Sequence, residues 1–184
     1  MISNTQFRQC IIQPVLSDLS AYGIGAARNA EEILVATMAH ETLGCKYIIQ
    51  QGNSGIFWKG GLGPFQMEAA THDNVVSRYF PEDNVDGKVG NTPIVKGHLP
   101  IKKSKVTSIF NFNNYPEGIE MVYNFRYATL MARLNYWLKP GSLPQYDDIN
   151  GIWSYYKSFW NTEKGSATKD DFLKNYYEFI GKRS

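Results

Sequence analysis

Apolar residues recur every three to four positions through most of the chain, a spacing that predicts amphipathic helices. Capping residues at the starts of these segments, and Gly or Pro at their ends, set the helix boundaries. Six helices are predicted, over residues 4–19, 29–44, 68–79, 116–138, 145–160 and 168–180. The fourth is apolar on more than one face, so we expect it to lie at the centre of its domain.

Glycine, proline and short polar residues mark the segments between the predicted helices. Residues 46–63 are rich in glycine and can hold a small β-hairpin, whereas residues 82–100 are expected to form loops. Residues 101–112 are compatible with either a strand or a helix. The pattern therefore predicts a mainly α fold, in which a helical domain carries a loop-rich insert.

The composition is that of a globular protein, with 43% hydrophobic and 20% charged residues among 184, and indicates one domain over residues 1–184. The net charge of +2 is too small to indicate a nucleic-acid partner. No window approaches eighteen consecutive apolar residues, so we expect no membrane span. The start of the chain, Met1–Thr5, lacks the basic and apolar residues of a signal peptide, which favours a cytoplasmic site of synthesis.

Cofactor motifs are incomplete in this sequence. Cys10 and Cys45 are too few for a disulfide scaffold or a zinc cluster, and we expect both to be buried free thiols. A metalloprotease helix would need a second His four residues after His40, where this chain has Gly44. Gly60–Gly63 lacks the Lys and Ser/Thr that end a phosphate-binding loop. We therefore expect no metal ion and no other cofactor.

The segment Gly87–Thr107 contains five Lys and no acidic residue. Such a segment forms either a solvated loop or a surface for an anionic partner, such as a bacterial cell wall. The aromatic share of 14% is also high. Core packing accounts for aromatic residues in general, and a cleft that stacks on sugar rings would use the same residue types.

Glu41 stands near the end of the second predicted helix, on the face that carries Leu34, Thr37 and Met38. Apolar surroundings disfavour the charged carboxylate, raise its pKa and make a proton donor at neutral pH. The alternative is a solvated acid, although a negative charge near a helix C-terminus opposes the macrodipole. Glu41 is therefore a candidate general acid.

Glu68 follows the glycine loop and opens the third predicted helix, where its charge suits the helix dipole. The same carboxylate can hold or deprotonate a water across a cleft from Glu41. Two such carboxylates are the minimum for breaking a glycosidic bond. Gln66 can hydrogen-bond a substrate amide such as an N-acetyl group, and His72 is a further candidate in the same segment.

Glu41, a gap of about twenty residues and the segment Gly63–His72 together resemble the goose-type lysozyme and soluble lytic transglycosylase superfamily. In that superfamily the catalytic Glu ends a helix, and a Gly-Leu-Met-Gln motif follows. Gln66, Glu68 and His72 match the motif's Gln, the goose-type acid and the goose-type His.

Some positions depart from the superfamily pattern. Thr42 stands where the superfamily has Ser after the catalytic Glu, and Phe65 replaces the Met of the motif. A later Tyr-Asn motif is echoed only in part, by Trp160 and Asn161. This last departure leaves two candidates, Tyr127 and Asn161, for the residue beside the catalytic acid.

The resemblance implies a lysozyme-like domain that cleaves the β-1,4 bond between N-acetylmuramic acid and N-acetylglucosamine. Glu41 would protonate the leaving oxygen. If Glu68 activates a water, the enzyme is an inverting lysozyme; otherwise the muramic 6-hydroxyl closes on its own ring, and the enzyme is a lytic transglycosylase. The residues assigned to substrate binding on this basis are Gln66, Phe65, His72, Tyr127 and Asn161.

Residues 124–133, 140–144 and 160–168 resemble bacteriophage cell-lysis proteins of the same superfamily, which implies an endolysin. Such a protein is expected to be a monomer that acts on bacterial peptidoglycan, without a nucleic-acid or membrane partner. It would reach the wall from the host cytoplasm through a holin. Two alternatives stay open: a non-enzymatic wall-binding or virion protein with this fold, and an enzyme that acts on another aminosugar polymer such as chitin.

Overall fold

The computed structural model describes residues 2–24, 28–50, 60–79, 117–162 and 165–181. Most residues in these ranges are helical and none forms a β-strand, which confirms the predicted mainly α fold. Within the same ranges, each helix is too short or too polar to cross a membrane.

The helices of the described ranges are numbered α1 to α7 in chain order. Two of them include π-helical turns, at Phe7–Ile12 and at Lys157–Asn161. The bounds are Asn4–Gln6, Phe7–Ile12 and Gln13–Ser20 for α1, Arg28–Thr42 for α2, Ala69–Tyr79 for α3, Glu120–Tyr123 for α4, Phe125–Trp137 for α5, Ile149–Tyr156 with Lys157–Asn161 for α6, and Lys169–Ile180 for α7.

Helices α2 and α5 form the centre of the core. Every residue of α2 from Ile33 to Ala39 is buried, and so is every residue of α5 from Tyr127 to Tyr136. Inside the core the hydroxyl groups of Thr37 and Tyr136 lie 2.6 Å apart and join the two helices by a hydrogen bond. Helices α1, α6 and α7 pack around α2. The fourth predicted helix is therefore central, as expected, and α2 shares that place.

The prediction of one continuous helix over residues 116–138 is wrong. The chain breaks at Asn124, whose φ of −119° and ψ of 95° are extended, and this residue separates α4 from α5. The Asn124 side chain accepts a hydrogen bond from the Tyr127 backbone N–H at 3.0 Å, so it caps α5. Asn competes with the helical backbone through such bonds and favours caps over helix interiors. Tyr123, at the end of α4, is 73% exposed.

The predicted helix ends are correct at some positions and wrong at others. Thr168 caps α7, since its hydroxyl oxygen accepts from the Asp171 N–H at 3.2 Å. Gly44, the predicted stop after α2, has a left-handed φ of +72°. The predicted cap Asn29 lies instead within α2, and its side-chain oxygen accepts from the Tyr146 N–H at 3.0 Å.

An ion-pair network holds the start of α2 against α1 and α7. Arg8 contacts both Glu31 and Glu32, with N–O distances of 2.9 Å and 2.8 Å. The Tyr176 hydroxyl donates to the same Glu32 oxygen at 2.6 Å. Glu32 is only 6% exposed, so these partners are needed to offset the loss of hydration of its charge. The network fixes the position of the central helix from its N-terminal end.

Several predicted loop features fall outside the described residues. These are most of the expected hairpin, residues 51–59, and residues 80–116, which include the Lys-rich segment Gly87–Thr107. Beside residues 51–59, isolated antiparallel bridges join Leu62 to Ile49 and to Met67.

The prediction of two buried thiols is wrong for Cys10. This residue is exposed on α1, whereas Cys45 is half-buried just after the end of α2, and both are free. Phe7 and Ile12, on either side of Cys10 along the π-helical turn, fill the core instead. The Cys10 thiol therefore lies on the solvent side of a turn whose buried side is formed by Phe7 and Ile12.

Gly63 begins a tight turn that packs against the start of α4. Its φ is +69°, a left-handed value, and a Cβ atom there would lie 2.3 Å from the Met121 carbonyl oxygen. Leu62 and Met67 exchange backbone hydrogen bonds of 3.0 Å and 3.1 Å across the turn. Glycine is therefore required twice over at this position, by conformation and by space.

We predict that Gly63→Ala destabilises the protein by about 3 kcal/mol, because it adds a steric clash to a left-handed conformation. Gly23→Ala is the matched control, since Gly23 has a φ of +72° and no atom within 4 Å of the added Cβ. We expect it to cost only about 1 kcal/mol. Urea unfolding of the two variants measures both losses, and equal losses would contradict the role of the close approach.

Candidate active site

A cleft of about 950 Å³ opens where five parts of the chain meet. Its walls come from the end of α2, residues 47–50, residues 61–71, the end of α5, and residues 156–162 with 165–171. This volume lies in the range of pockets that hold small-molecule ligands. The candidate acids Glu41 and Glu68 both line it.

Glu41 lies in the last turn of α2, half-buried at the wall of the cleft. Its carboxyl oxygen Oε1 accepts a hydrogen bond from the Tyr156 hydroxyl at 2.6 Å. Its backbone carbonyl accepts from the Tyr47 hydroxyl at 2.7 Å. Because α2 is buried along most of its length, a side chain at its end enters the cleft from the core side and meets little water.

Burial raises the pKa of Glu41 from its ordinary value of 4.5 to about 7, and the hydrogen bond from Tyr156 acts in the opposite direction. Removal from water disfavours the charged carboxylate, whereas a hydroxyl donor favours it. Burial has the larger effect here. A large share of the molecules therefore keep the Glu41 proton near neutral pH, which is the property that a general acid requires.

The hydroxyl of Thr42, next to Glu41, ties the end of α2 to the tight turn. Thr42 Oγ1 lies 3.0 Å from the carbonyl oxygens of both Met38 and Pro64. It also accepts from the Cys45 backbone N–H at 3.0 Å. Thr42 supplies the same hydroxyl as the Ser that the resemblance leads one to expect. The hydrogen bond from Thr42 to the Pro64 carbonyl holds the tight turn next to the end of α2, where Glu41 lies.

The π-helical turn of α6 brings a second set of polar groups to Tyr156. Lys157 Nζ donates to Asn161 Oδ1 at 2.7 Å and to the Gly165 carbonyl at 2.8 Å. Tyr156, whose hydroxyl donates to Glu41, directly precedes Lys157 in the chain. The same helix therefore carries both the donor to Glu41 and the Lys157–Asn161–Gly165 contacts. Such π-helical turns often occur at functional sites.

Three further residues that the sequence suggests for the site line the cleft: Gln66, Glu68 and Asn161. Glu68 is exposed, so its carboxylate can meet a water in the cleft. Gln66 uses its side-chain N–H to donate to the Gly63 carbonyl at 2.9 Å, and thereby closes the tight turn. The structure thus brings Glu41, Glu68, Gln66 and Asn161 to one cleft.

Phe65, His72 and Tyr127 lie in the core, which corrects their assignment to substrate binding. Their exposed fractions are 1%, 2% and 0%. The Phe65 ring packs between Phe7 and Trp160. His72 Nε2 and the Tyr127 hydroxyl, 2.8 Å apart, form a hydrogen bond between α3 and α5. These contacts show that the three side chains pack the helices around the cleft against one another.

Tyr156, the residue beside Glu41, is absent from the residues that the sequence suggests for the site. It lies 115 positions further along the chain, on α6. A physical requirement could have pointed to such a residue, because a buried carboxyl group needs a hydrogen-bond donor. With twelve tyrosines in the chain, this requirement alone does not select one of them.

Comparisons of the chain with models of known protein families, with curated proteins and with solved structures find no match. Among the described residues, no group of three or more His, Cys, Asp or Glu side chains is placed to hold a metal ion. The cleft does combine a carboxyl group that keeps its proton, Glu41, with an exposed carboxylate, Glu68. Such a pair can donate a proton at one point and orient a water at another.

We predict that Glu41→Gln stabilises the protein at high pH much more than at low pH. Since the pKa of Glu41 is raised by folding, its contribution to stability is complete below pH 4.5 and is lost as the pH rises through 7. A shift of this size corresponds to about 3 kcal/mol. Gln stays neutral and still accepts from Tyr156, so the variant avoids this loss.

Chemical denaturation at pH 5 and pH 8 measures this difference. Glu68→Gln is the control, because an exposed side chain is expected to change stability by less than about 0.5 kcal/mol at either pH. A Glu41→Gln effect that is the same at both pH values would show that the carboxyl group is not held in its neutral form by burial.

Proposed function

We propose that this protein is a peptidoglycan-degrading muramidase of the endolysin type. It would cleave the β-1,4 bond between N-acetylmuramic acid and N-acetylglucosamine. The observation that carries the proposal is the half-buried Glu41 carboxyl group at the cleft, with a pKa of about 7 and a hydrogen bond from Tyr156. The sequence around it, Glu41 followed by Gly63–His72, resembles the goose-type lysozyme and soluble lytic transglycosylase superfamily and supports this substrate class.

In the proposed first step, Glu41 transfers its proton to the glycosidic oxygen. The bond from that oxygen to the anomeric carbon breaks, the leaving sugar departs as an alcohol, and positive charge develops on the muramic ring. The Tyr156 hydroxyl, 2.6 Å from Oε1, then stabilises the carboxylate that remains. Burial and this hydrogen bond act in opposite directions on the pKa of Glu41, and their balance keeps the group able to give up its proton near neutral pH.

In the proposed second step, Glu68 orients and deprotonates a water that attacks the anomeric carbon. Its exposed position on the same cleft supports this role. In inverting enzymes the two carboxyl groups stand about 6.5–9.5 Å apart, which leaves room for the water. The alternative second step, attack by the muramic 6-hydroxyl, would make the protein a lytic transglycosylase.

Aromatic and amide groups of the cleft suit an N-acetylated sugar. Phe159, Trp160 and Tyr47 line the walls and are partly exposed, so part of each side chain can contact a sugar ring in the cleft. The amide of Asn161 can hydrogen-bond an acetamido group. These groups support an aminosugar polymer as the substrate, and they would suit chitin as well as peptidoglycan.

The proposed biological role is lysis of a bacterial host by a monomeric enzyme that passes from the cytoplasm to the wall through a holin. It rests on the resemblance of the later segments, residues 124–133, 140–144 and 160–168, to bacteriophage cell-lysis proteins. A wall-binding or virion protein without catalysis would keep the cleft but would not need a raised pKa at Glu41. The raised pKa therefore favours an enzyme.

The direct test is clearing of a peptidoglycan suspension by wild type and Glu41→Gln. A positioned general acid accelerates such reactions by about 10²–10⁴, so we expect the variant to lose at least about 100-fold in rate. Glu178→Gln is the matched control, because that side chain is 60% exposed on α7 and does not line the cleft. Full activity in a folded Glu41→Gln variant would overturn the proposal.

Mass spectrometry of the released fragments separates the two second steps. Hydrolysis gives reducing muramic ends, and ring closure gives 1,6-anhydro ends. We expect reducing ends, together with a loss of at least about 100-fold for Glu68→Gln, since that variant would lack the base that activates water. Anhydro ends and a mild loss for Glu68→Gln would assign the protein to the lytic transglycosylases.

A further inference from the structure

The end of α5 brings an amide and an ammonium group to the cleft at a place that the proposed bond cleavage does not use. Asn135 and Lys139 both line the cleft. They are four residues apart, a spacing that places side chains on the same side of a helical turn. The chain still turns at Lys139, whose backbone N–H donates to the Tyr136 carbonyl at 3.1 Å.

Asn135 is a buried polar side chain whose hydrogen bonding is incomplete. It is only 4% exposed, and its amide oxygen Oδ1 has no hydrogen-bond partner within the described part of the chain. Buried amide groups are normally paired, and each unpaired atom carries a cost in free energy. Rotation of the Asn135 side-chain amide about its last torsion exchanges the positions of its oxygen and its NH₂ group. The group can therefore offer N–H donors to a ligand in the cleft.

Lys139 is a partly buried cation at the wall of the cleft. The ion pairs found among the described residues do not include it. Burial, and then the charge of Arg78, lower the pKa of Lys139. A cation that has lost part of its hydration and faces a like charge is poorly stabilised until an anion approaches. Lys139 thus gives this part of the cleft an attraction for negative charge.

We propose that Lys139 and Asn135 form a subsite for a carboxylate group of the substrate. A carboxylate only accepts hydrogen bonds, and both side chains can donate to it. This inference rests on the proposed function and makes it more specific, because it selects an anionic muramic glycan over a neutral one such as chitin. The carboxylate comes either from the lactyl group of muramic acid or from a peptide attached to that group.

The test is a binding titration followed by NMR, with N-acetylmuramic acid and its methyl ester as probes. We expect wild type to bind the acid about tenfold more tightly than the ester, the size of one charge-assisted hydrogen bond. Lys139→Met is expected to remove this preference. Lys174→Met is the matched control, because Lys174 is exposed on α7 outside the cleft, and it should keep the preference.

N-acetylmuramoyl dipeptide, in which the lactyl carboxyl group forms an amide, separates the two sources of carboxylate. If wild type prefers the dipeptide over its peptide methyl ester and Lys139→Met does not, the subsite binds the peptide carboxylate. If wild type prefers only N-acetylmuramic acid over its methyl ester, the subsite binds the lactyl carboxylate. Asn135→Ser, which keeps a small polar group, is expected to weaken binding of the preferred acid about threefold to tenfold.

The outcomes of the binding and clearing assays are separable. A wild-type protein that clears peptidoglycan but binds acid and ester equally in both pairs of probes, N-acetylmuramic acid and the dipeptide, would overturn the subsite and leave the muramidase proposal intact. A protein that clears nothing but shows the Lys139-dependent preference would overturn the muramidase proposal and support the subsite. Retention of the preference in Lys139→Met would also overturn the subsite.

Discussion

Partial withdrawal of one carboxyl group from water, at the end of a central helix, determines the chemical properties of the cleft. Helix α2 is buried along most of its length, so Glu41 reaches the cleft from the core and is only half-exposed. The Tyr156 hydroxyl meets the carboxyl group there. Burial favours the neutral acid and the hydroxyl favours the carboxylate. The resulting pKa of about 7 lets the group both hold and release a proton at neutral pH.

Several contacts hold this carboxyl group in place. The network of Arg8 and Glu32 fixes the start of α2, and the Thr42 hydroxyl fixes its end to the Pro64 carbonyl. The turn behind Pro64 fits against α4 only because Gly63 has no side chain. Ionisation of Glu41 opposes folding as the pH rises through 7, because the folded protein binds this proton more tightly than the unfolded chain.

The helices and Glu41 itself were predictable because both depend on local periodicity. The spacing of apolar residues places α2, and the position of Glu41 on its apolar face indicates the raised pKa. The break at Asn124 was not predictable, because the capping role of this residue competes with a strongly apolar pattern on both sides of it. The contact of Tyr156 with Glu41 was not predictable either, since the two residues approach each other only after the chain has folded. The motif placed Phe65 and His72 at the site by sequence proximity, but side-chain direction turns both into the core.

The protonation of Glu41 near neutral pH can be measured by an NMR titration of the carboxyl carbons in protein with ¹³C-labelled glutamate. The signal that disappears in Glu41→Gln identifies the group. We expect this signal to titrate with a midpoint near 7. A midpoint near the ordinary 4.5 would contradict it, because the carboxyl group would then be ionised in the cleft and unable to act as the acid.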